Sequence, residues 1–208
     1  MQNKNRRKVQ RKRKKKAKKS FEINFKFKPK VNFSYLISGL IWTVKITLVC
    51  LLAFFVVWFF GKQVSVVGDS MQPAVKNGDV VLVNRVIYNA VTPDRGEVIV
   101  FKPQGNDNLH YYVKRVIGLP GETIEIRENE IYIDGKLLKE DYEVTEMTDP
   151  GLAAQAITLG EDEYFVLGDD RENSEDSRHE EVGNVKRRYI YGKAWFIKSG
   201  GNFGFVKG

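Results

Sequence analysis

A serine, a lysine and a dense charged loop carry what chemistry this sequence can do. Ser70 stands in Gly68-Asp69-Ser70-Met71-Gln72-Pro73, directly after the apolar run 64–67. A serine on a bend bounded by glycine and proline presents its hydroxyl on an elbow, with backbone N–H groups nearby for an oxyanion. Taken alone, Ser-x-x-Pro is mostly a turn. The lysine lies in Tyr111-Tyr112-Val113-Lys114-Arg115-Val116-Ile117. With a side-chain period of two, Lys114 shares a strand face with Tyr112 and Val116, and Arg115 points the other way. On an apolar face the charged amine is desolvated and its pKa falls, which is how a lysine becomes a general base. From this strand alone, a solvent-facing Lys114 is an equal reading.

The other catalytic residue types offer little. His179 lies in the charged run Arg178-His179-Glu180-Glu181, and His110 opens a strand after a polar loop. Both read as surface residues rather than members of a Ser-His-Asp triad. The lone Cys50 sits inside an apolar run as a small filler and allows no intrachain disulfide. No Cys/His cluster has metal-ligand spacing, so neither metal nor other cofactor is expected. Serine with lysine is what remains. After the apolar run 164–167 come eleven residues, 168–178, rich in Asp, Arg, Ser and Asn. Such a stretch is usually a solvated loop, but its closely spaced Asp and Arg also allow charge-paired bracing of a site.

In this order the stretches resemble the type I signal peptidases, the S26 peptidase family. The serine box Ser70-Met71-x-Pro73 is followed by Arg95-Gly96-Glu97-Val98-Ile99-Val100-Phe101, then by a lysine box running from Tyr112 to Glu122, then by 168–178. The resemblance covers about residues 36–197 and leaves residues 1–30 outside it. It implies a membrane-bound serine endopeptidase that removes signal peptides after small residues through an acyl-enzyme. It also implies Ser70 as nucleophile, Lys114 as general base and Ser174 as the hydroxyl orienting that base. Asp176 and Arg178 match a supporting ion pair, with Asp169 nearby. The backbone N–H of Ser70 matches the oxyanion hole, with Gly68 where some members add a serine hydroxyl. Glycine there, and an insertion of about 40 residues, look like the Gram-positive branch. Met71, Tyr112 and Val113 match positions lining shallow substrate pockets. The implied partners are signal-peptide-bearing preproteins emerging from the secretion translocon.

These residues need elements to hold them. Residues 36–60 carry a single charge, Lys45, over 25 residues, enough for a helix to cross a bilayer. Trp42 and Trp58 stand near its two ends, where interfacial aromatics belong. No small-x-small cleavage site follows at Gly61-Lys62-Gln63-Val64, so an anchor is expected rather than a removed leader. Residues 1–30 hold fifteen Lys and Arg against Glu22 alone, a balance of +14; the whole chain is +8, so residues 31–208 carry −6. A basic arm on an acidic body does not fit a nucleic-acid binder, and no nucleic-acid partner is expected. The arm reads either as a solvated tail or as a segment attracted to anionic lipid headgroups. By the positive-inside rule it is cytoplasmic, which puts everything after Gly61 outside the cell.

Beyond the span, short apolar runs at 64–67, 80–83, 98–101, 111–117 and 164–167 are bounded by turn residues. Residues 123–136 alternate apolar and polar about Glu128-Asn129, a hairpin pattern. No amphipathic helix is evident. The expected class is all-β, two antiparallel sheets in a barrel-like body on one N-terminal transmembrane helix. The expected division is a basic tail (1–34), a span (35–61), a catalytic β domain (62–121 and 164–208) and a small β insertion (122–163). Two other readings stand beside the peptidase. A self-cleaving repressor of similar fold would need a DNA-reading domain where this chain has a span. A dedicated or catalytically idle homologue would assist assembly of surface structures such as pili, yet this chain keeps both Ser70 and Lys114.

Overall fold

A computed structural model describes residues 33–198 and 203–207; the basic tail lies outside the described residues. Helix α1, Phe33–Phe60, is 28 residues long, about 42 Å at 1.5 Å per residue. Every described side chain of Phe33–Trp58 is exposed, none of it buried by protein. A helix apolar on every face needs an apolar surround, and by length and composition this one can cross a membrane. It ends at Gly61, whose N–H donates to Val57 O at 2.8 Å. Contacts divide the chain between Val49 and Cys50, so the second unit runs from the last turns of α1 through the β body.

The body begins with β1 (Lys62–Ser65), β2 (Val80–Asn84), the one-turn helix α2 (Ile87–Ala90), β3 (Val98–Phe101) and β4 (Tyr112–Gly118). A hairpin sheet follows, from β5 (Thr123–Arg127), β6 (Glu130–Ile133), β7 (Lys136–Leu137) and β8 (Ile157–Thr158). The chain then returns through β9 (Glu163–Leu167), β10 (Val185–Lys186), β11 (Ile190–Ile197) and β12 (Gly204–Phe205). The large sheet has the order β1-β2-β11-β3-β4-β9-β10, with β12 on β11; the small one is β7-β6-β5-β8. Every pairing is antiparallel. The two-sheet β body expected from the alternating pattern is therefore present.

Local chemistry explains the turns. Glu128 and Asn129 have φ of 51° and 63°, the paired positive values that close a two-residue hairpin with the right twist. β1 stops two residues before the apolar run does. From Val66 onward the backbone closes the Asn77-Gly78 turn instead, through Val66 N–H to Asp79 O and Gly78 N–H to Val66 O.

Among the described residues, three apolar clusters fill the body. One gathers Val64, Val66, Met71, Val75 and Val113; a second joins the small sheet to Ile117, Phe165 and Leu167; the third holds Val116, Tyr164 and Val166. Strand β4 contributes to all three. From Val113 to Gly118 every residue of it is buried, because β3 and β9 flank it and apolar clusters cover both faces. Lys114 and Arg115 do point to opposite faces, but neither face is solvent.

Candidate active site

Ser70 sits in a turn that winds from Asp69 to Val75, closed by Gln72 N–H to Asp69 O and Val75 N–H to Met71 O. The turn is moored to the 168–178 loop, since Asp170 N–H donates to Ser70 O at 3.1 Å. Gly168 makes that approach possible. A Cβ there would strike both Ser174 Oγ and Ser70 O.

Across from the turn, Lys114 reaches up from β4. Its Nζ lies 2.6 Å from Ser70 Oγ and 3.0 Å from Ser174 Oγ, and the residue is only 3% exposed. Burial pushes the amine from its ordinary 10.5 down to about 8, against the opposing pull of Asp176 and Glu175. Desolvation wins because no carboxylate contacts the ammonium directly. The Lys114 amine thus has two hydroxyl neighbours and no ion-pair partner among the described residues.

Ser174 is fixed from beneath. Asp176 accepts Arg178 Nε at 2.8 Å, Arg178 Nη2 at 2.9 Å and Gly168 N–H at 3.1 Å. Burial alone would raise the Asp176 carboxyl. The hydrogen bonds and charge of Arg178, with further bonds from Ser174 and Gly168, outweigh it and hold the group below its ordinary value. Arg178 also donates to Asp149 O and Arg171 O, so the guanidinium ties the loop to the connection between β7 and β8.

Asp169 has a different partner from the Asp176–Arg178 pair. Its carboxylate takes two bonds of 2.7 Å from Arg115. Arg115 also donates to Gly96 O and Lys207 O and lies 4.0 Å from the Tyr142 ring. Sequence reasoning assigned Arg115 only a direction. The pairing joins positions 54 residues apart, and the one available signal was a basic residue beside Lys114 on a strand with no exposed face.

A cleft of about 310 Å³ opens over Ser70 and Lys114, lined by Val66, Val67, Tyr112, Val113 and Glu175 among others. Tyr112 and Val113 both line this cleft, and Tyr112 Oη donates to Glu175 at 3.1 Å. Two expectations need correction. Met71 is 0% exposed and belongs to the core cluster around Val64 and Val75; the turn after Ser70 swings it inward, away from the cleft. Gly68 has φ +91°, and its N–H already donates to Asn77 Oδ1 at 3.2 Å, so it is not free for an oxyanion. Ser70 N–H has no protein acceptor among the described residues. His110 is exposed at the cleft wall, and His179 lies elsewhere with its Nδ1 buried.

An all-β body holding a serine hydroxyl against a desolvated lysine amine has the pairing of a nucleophilic hydrolase. Comparison with known proteins gives this class a family. Residues 40–198 match the family described as signal peptidase, peptidase S26, and the chain belongs to it. Signal peptidase I S of Bacillus subtilis is 33% identical over 177 residues, 80% of this chain and 92% of that protein. A probable signal peptidase I-2 of Synechocystis is 34% identical over 131 residues, 61% of this chain and 58% of that protein. The chain thus spans little more than half of that second relative. A solved signal peptidase I from Enterococcus faecalis V583 is 37% identical, covers 50% of this chain and 97% of its own, and superposes with a TM-score of 0.40.

Proposed function

We propose that the chain is a membrane-anchored signal peptidase I that cleaves preproteins through a Ser70–Lys114 dyad. The observation that carries this is the 2.6 Å approach of Lys114 Nζ to Ser70 Oγ in a site where burial pushes the amine down to about 8. Neutral Lys114 takes the proton of Ser70 Oγ as that oxygen attacks the scissile carbonyl carbon. The carbonyl oxygen becomes an oxyanion facing Ser70 N–H. Collapse breaks the C–N bond, and the leaving amine takes the proton back from the Lys114 ammonium. Lys114 then takes a proton from a water that attacks the acyl carbon, and Ser70 Oγ leaves with that proton from the Lys114 ammonium, which restores the free serine and the neutral amine. Ser174 orients the Lys114 amine, and the Asp176–Arg178 pair fixes Ser174.

The cleft is shallow and its walls include Val66 and Val113, which suits the small side chains that precede a signal-peptide cleavage site. Helix α1 anchors the chain with its N-terminus in the cytoplasm and the β body outside, facing preproteins that emerge from the translocon. The basic tail associates with anionic lipids on the cytoplasmic face. Sharing a plane with the substrate raises its effective concentration, so a shallow cleft suffices. An idle assembly factor is not favoured, since the chain keeps both Ser70 and Lys114. The deciding experiment is preprotein cleavage by purified full-length Ser70→Ala. Complete loss in a protein with unchanged thermal stability is expected; retained cleavage would end the serine-peptidase reading.

A further inference from the structure

The described residues enclose a cavity larger than the one over Ser70. About 660 Å³ in volume, it opens where the last turn of α1 meets β1, and Lys62, Arg85, Lys102 and Arg188 all line it. One carboxylate shares the wall, Asp107, which bonds Lys102 at 3.0 Å from a side chain 94% exposed. Among the described residues, Lys62, Arg85 and Arg188 have no carboxylate in salt-bridge range. Of the other described arginines, Arg187 has none either, while Arg95, Arg115, Arg127, Arg171 and Arg178 each have one. Since residues 31–208 carry a net −6, four cations beside a single carboxylate run against the charge of the body.

Aromatic rings hold these cations in place. Arg85 lies 4.5 Å from the Tyr191 ring, and Arg188 4.9 Å from that of Tyr189, whose hydroxyl it also bonds at 3.0 Å. Lys102 stands 5.3 Å over Tyr111, and Lys62 5.7 Å over Trp58 in the last turn of α1. Ring contacts position a cation without neutralising it. The result is a preformed, positively charged cavity of the size that takes a small polar ligand.

We propose that this cavity binds the phosphate of an anionic phospholipid headgroup at the membrane face beside the C-terminal end of α1. The inference rests on the proposed reading of α1 as a membrane span. Trp58 then lies at headgroup depth, where interfacial aromatics sit, and the cations beside it meet lipid phosphates. Two arginine forks match phosphate oxygens in geometry as well as charge. A free phosphate offers the same chemistry and an acidic peptide offers charge, but neither accounts for a cavity walled by the end of the apolar helix.

The test uses the full chain in neutral detergent, wild type beside Arg85→Gln/Arg188→Gln, titrated with dioleoyl phosphatidylglycerol or dioleoyl phosphatidylcholine and read by native mass spectrometry. The basic tail is the same in both proteins, so its lipid binding cancels. We expect one phosphatidylglycerol to be held at least tenfold more tightly by wild type, with phosphatidylcholine binding equal in both. Equal phosphatidylglycerol binding would overturn the proposal. So would displacement of the lipid by equimolar glycerol 3-phosphate, which would assign the site to a soluble phosphate, or by polyglutamate, which would assign it to an acidic peptide. Cleavage of a soluble signal-peptide substrate by the same samples separates the two readings. Failure there by wild type would sink the peptidase and leave the lipid comparison standing, and equal cleavage by the double variant shows that it is folded. Arg188→Gln alone, at an exposed position, gives the same comparison should the double variant not fold.

Discussion

Arg115 and Asp169 face each other through two parallel hydrogen bonds of 2.7 Å, and both are buried. Each is the chain neighbour of a residue the site depends on: Arg115 follows Lys114, and Asp169 precedes Asp170, whose N–H holds Ser70 O. The pair therefore clamps the strand of the lysine to the loop that moors the serine.

Removing one partner leaves an uncompensated buried charge, a loss of about 3–5 kcal/mol. Asp169→Ala is accordingly expected to lower the thermal midpoint sharply and to abolish cleavage at the growth temperature. Arg115→Met combined with Asp169→Leu should recover much of the stability. Denaturation curves of the single and double variants check this, and equal midpoints for Asp169→Ala and wild type would remove the clamp.

The pH dependence of Lys114 has a definite sign. Its folded pKa is lowered to about 8 from an ordinary 10.5, so protonation favours the unfolded chain. Below pH 8 the site costs stability, on the order of 3 kcal/mol. Between pH 8 and 10.5 the unfolded chain binds more protons than the folded one, and this cost fades as pH rises. The cleavage rate should climb through pH 8 and stay high into mild alkali. Lys114→Met should be inactive and no less stable at neutral pH. Lys114→Arg should be inactive as well, since guanidinium keeps its proton; substantial cleavage by that variant would dismiss Lys114 as the base.

Ser174→Ala keeps Ser70 beside Lys114 and removes only the second hydroxyl on the amine. A supporting group of this kind is worth about 10- to 100-fold, and the loss should fall on kcat with KM nearly unchanged. Wild-type kcat in the variant would take Ser174 out of the site.

Gly168→Ala tests the close approach itself. The backbone there lies outside the left-handed region, so alanine is acceptable to the chain and harmful only through its Cβ. The methyl meets Ser174 Oγ and Ser70 O and forces the loop and the serine turn apart. A displacement near 1 Å at reacting groups costs about 100-fold. Single-turnover cleavage rates measure it, and an unaltered rate would show that the two segments can separate without penalty.

Ser70, Lys114 and Ser174 were legible because each lies in a short contiguous box that the family resemblance reads directly. The hairpin at Glu128-Asn129 was legible because a two-residue period is local. Met71 was misread for a local reason too, since adjacency to Ser70 says nothing about which way a tight turn throws the next side chain. The Gly68 N–H is engaged by Asn77, nine residues on, and Asp169 by Arg115, 54 residues away. Neither bond has a sequence period to announce it. Whether Lys114 faced water could not follow from strand parity, because parity assigns faces and burial depends on what covers them. The basic cavity beside α1 gathers cations from four separate segments, and no run of sequence displays it.

Strand β4 lies inside the large sheet, paired to β3 along one edge and to β9 along the other. Any fluctuation that frees Lys114 must break two ladders at once and open the clusters on both faces, which is close to unfolding the whole body. A single water can reach the amine through the cleft over Ser70, but no cheap, partly opened form of the strand gives it the full hydration of an unfolded chain while the rest stays intact. Thermal inactivation should therefore coincide with the cooperative melting of the sheet rather than precede it, and the lysine should regain its ordinary basicity only in chains that have lost the fold.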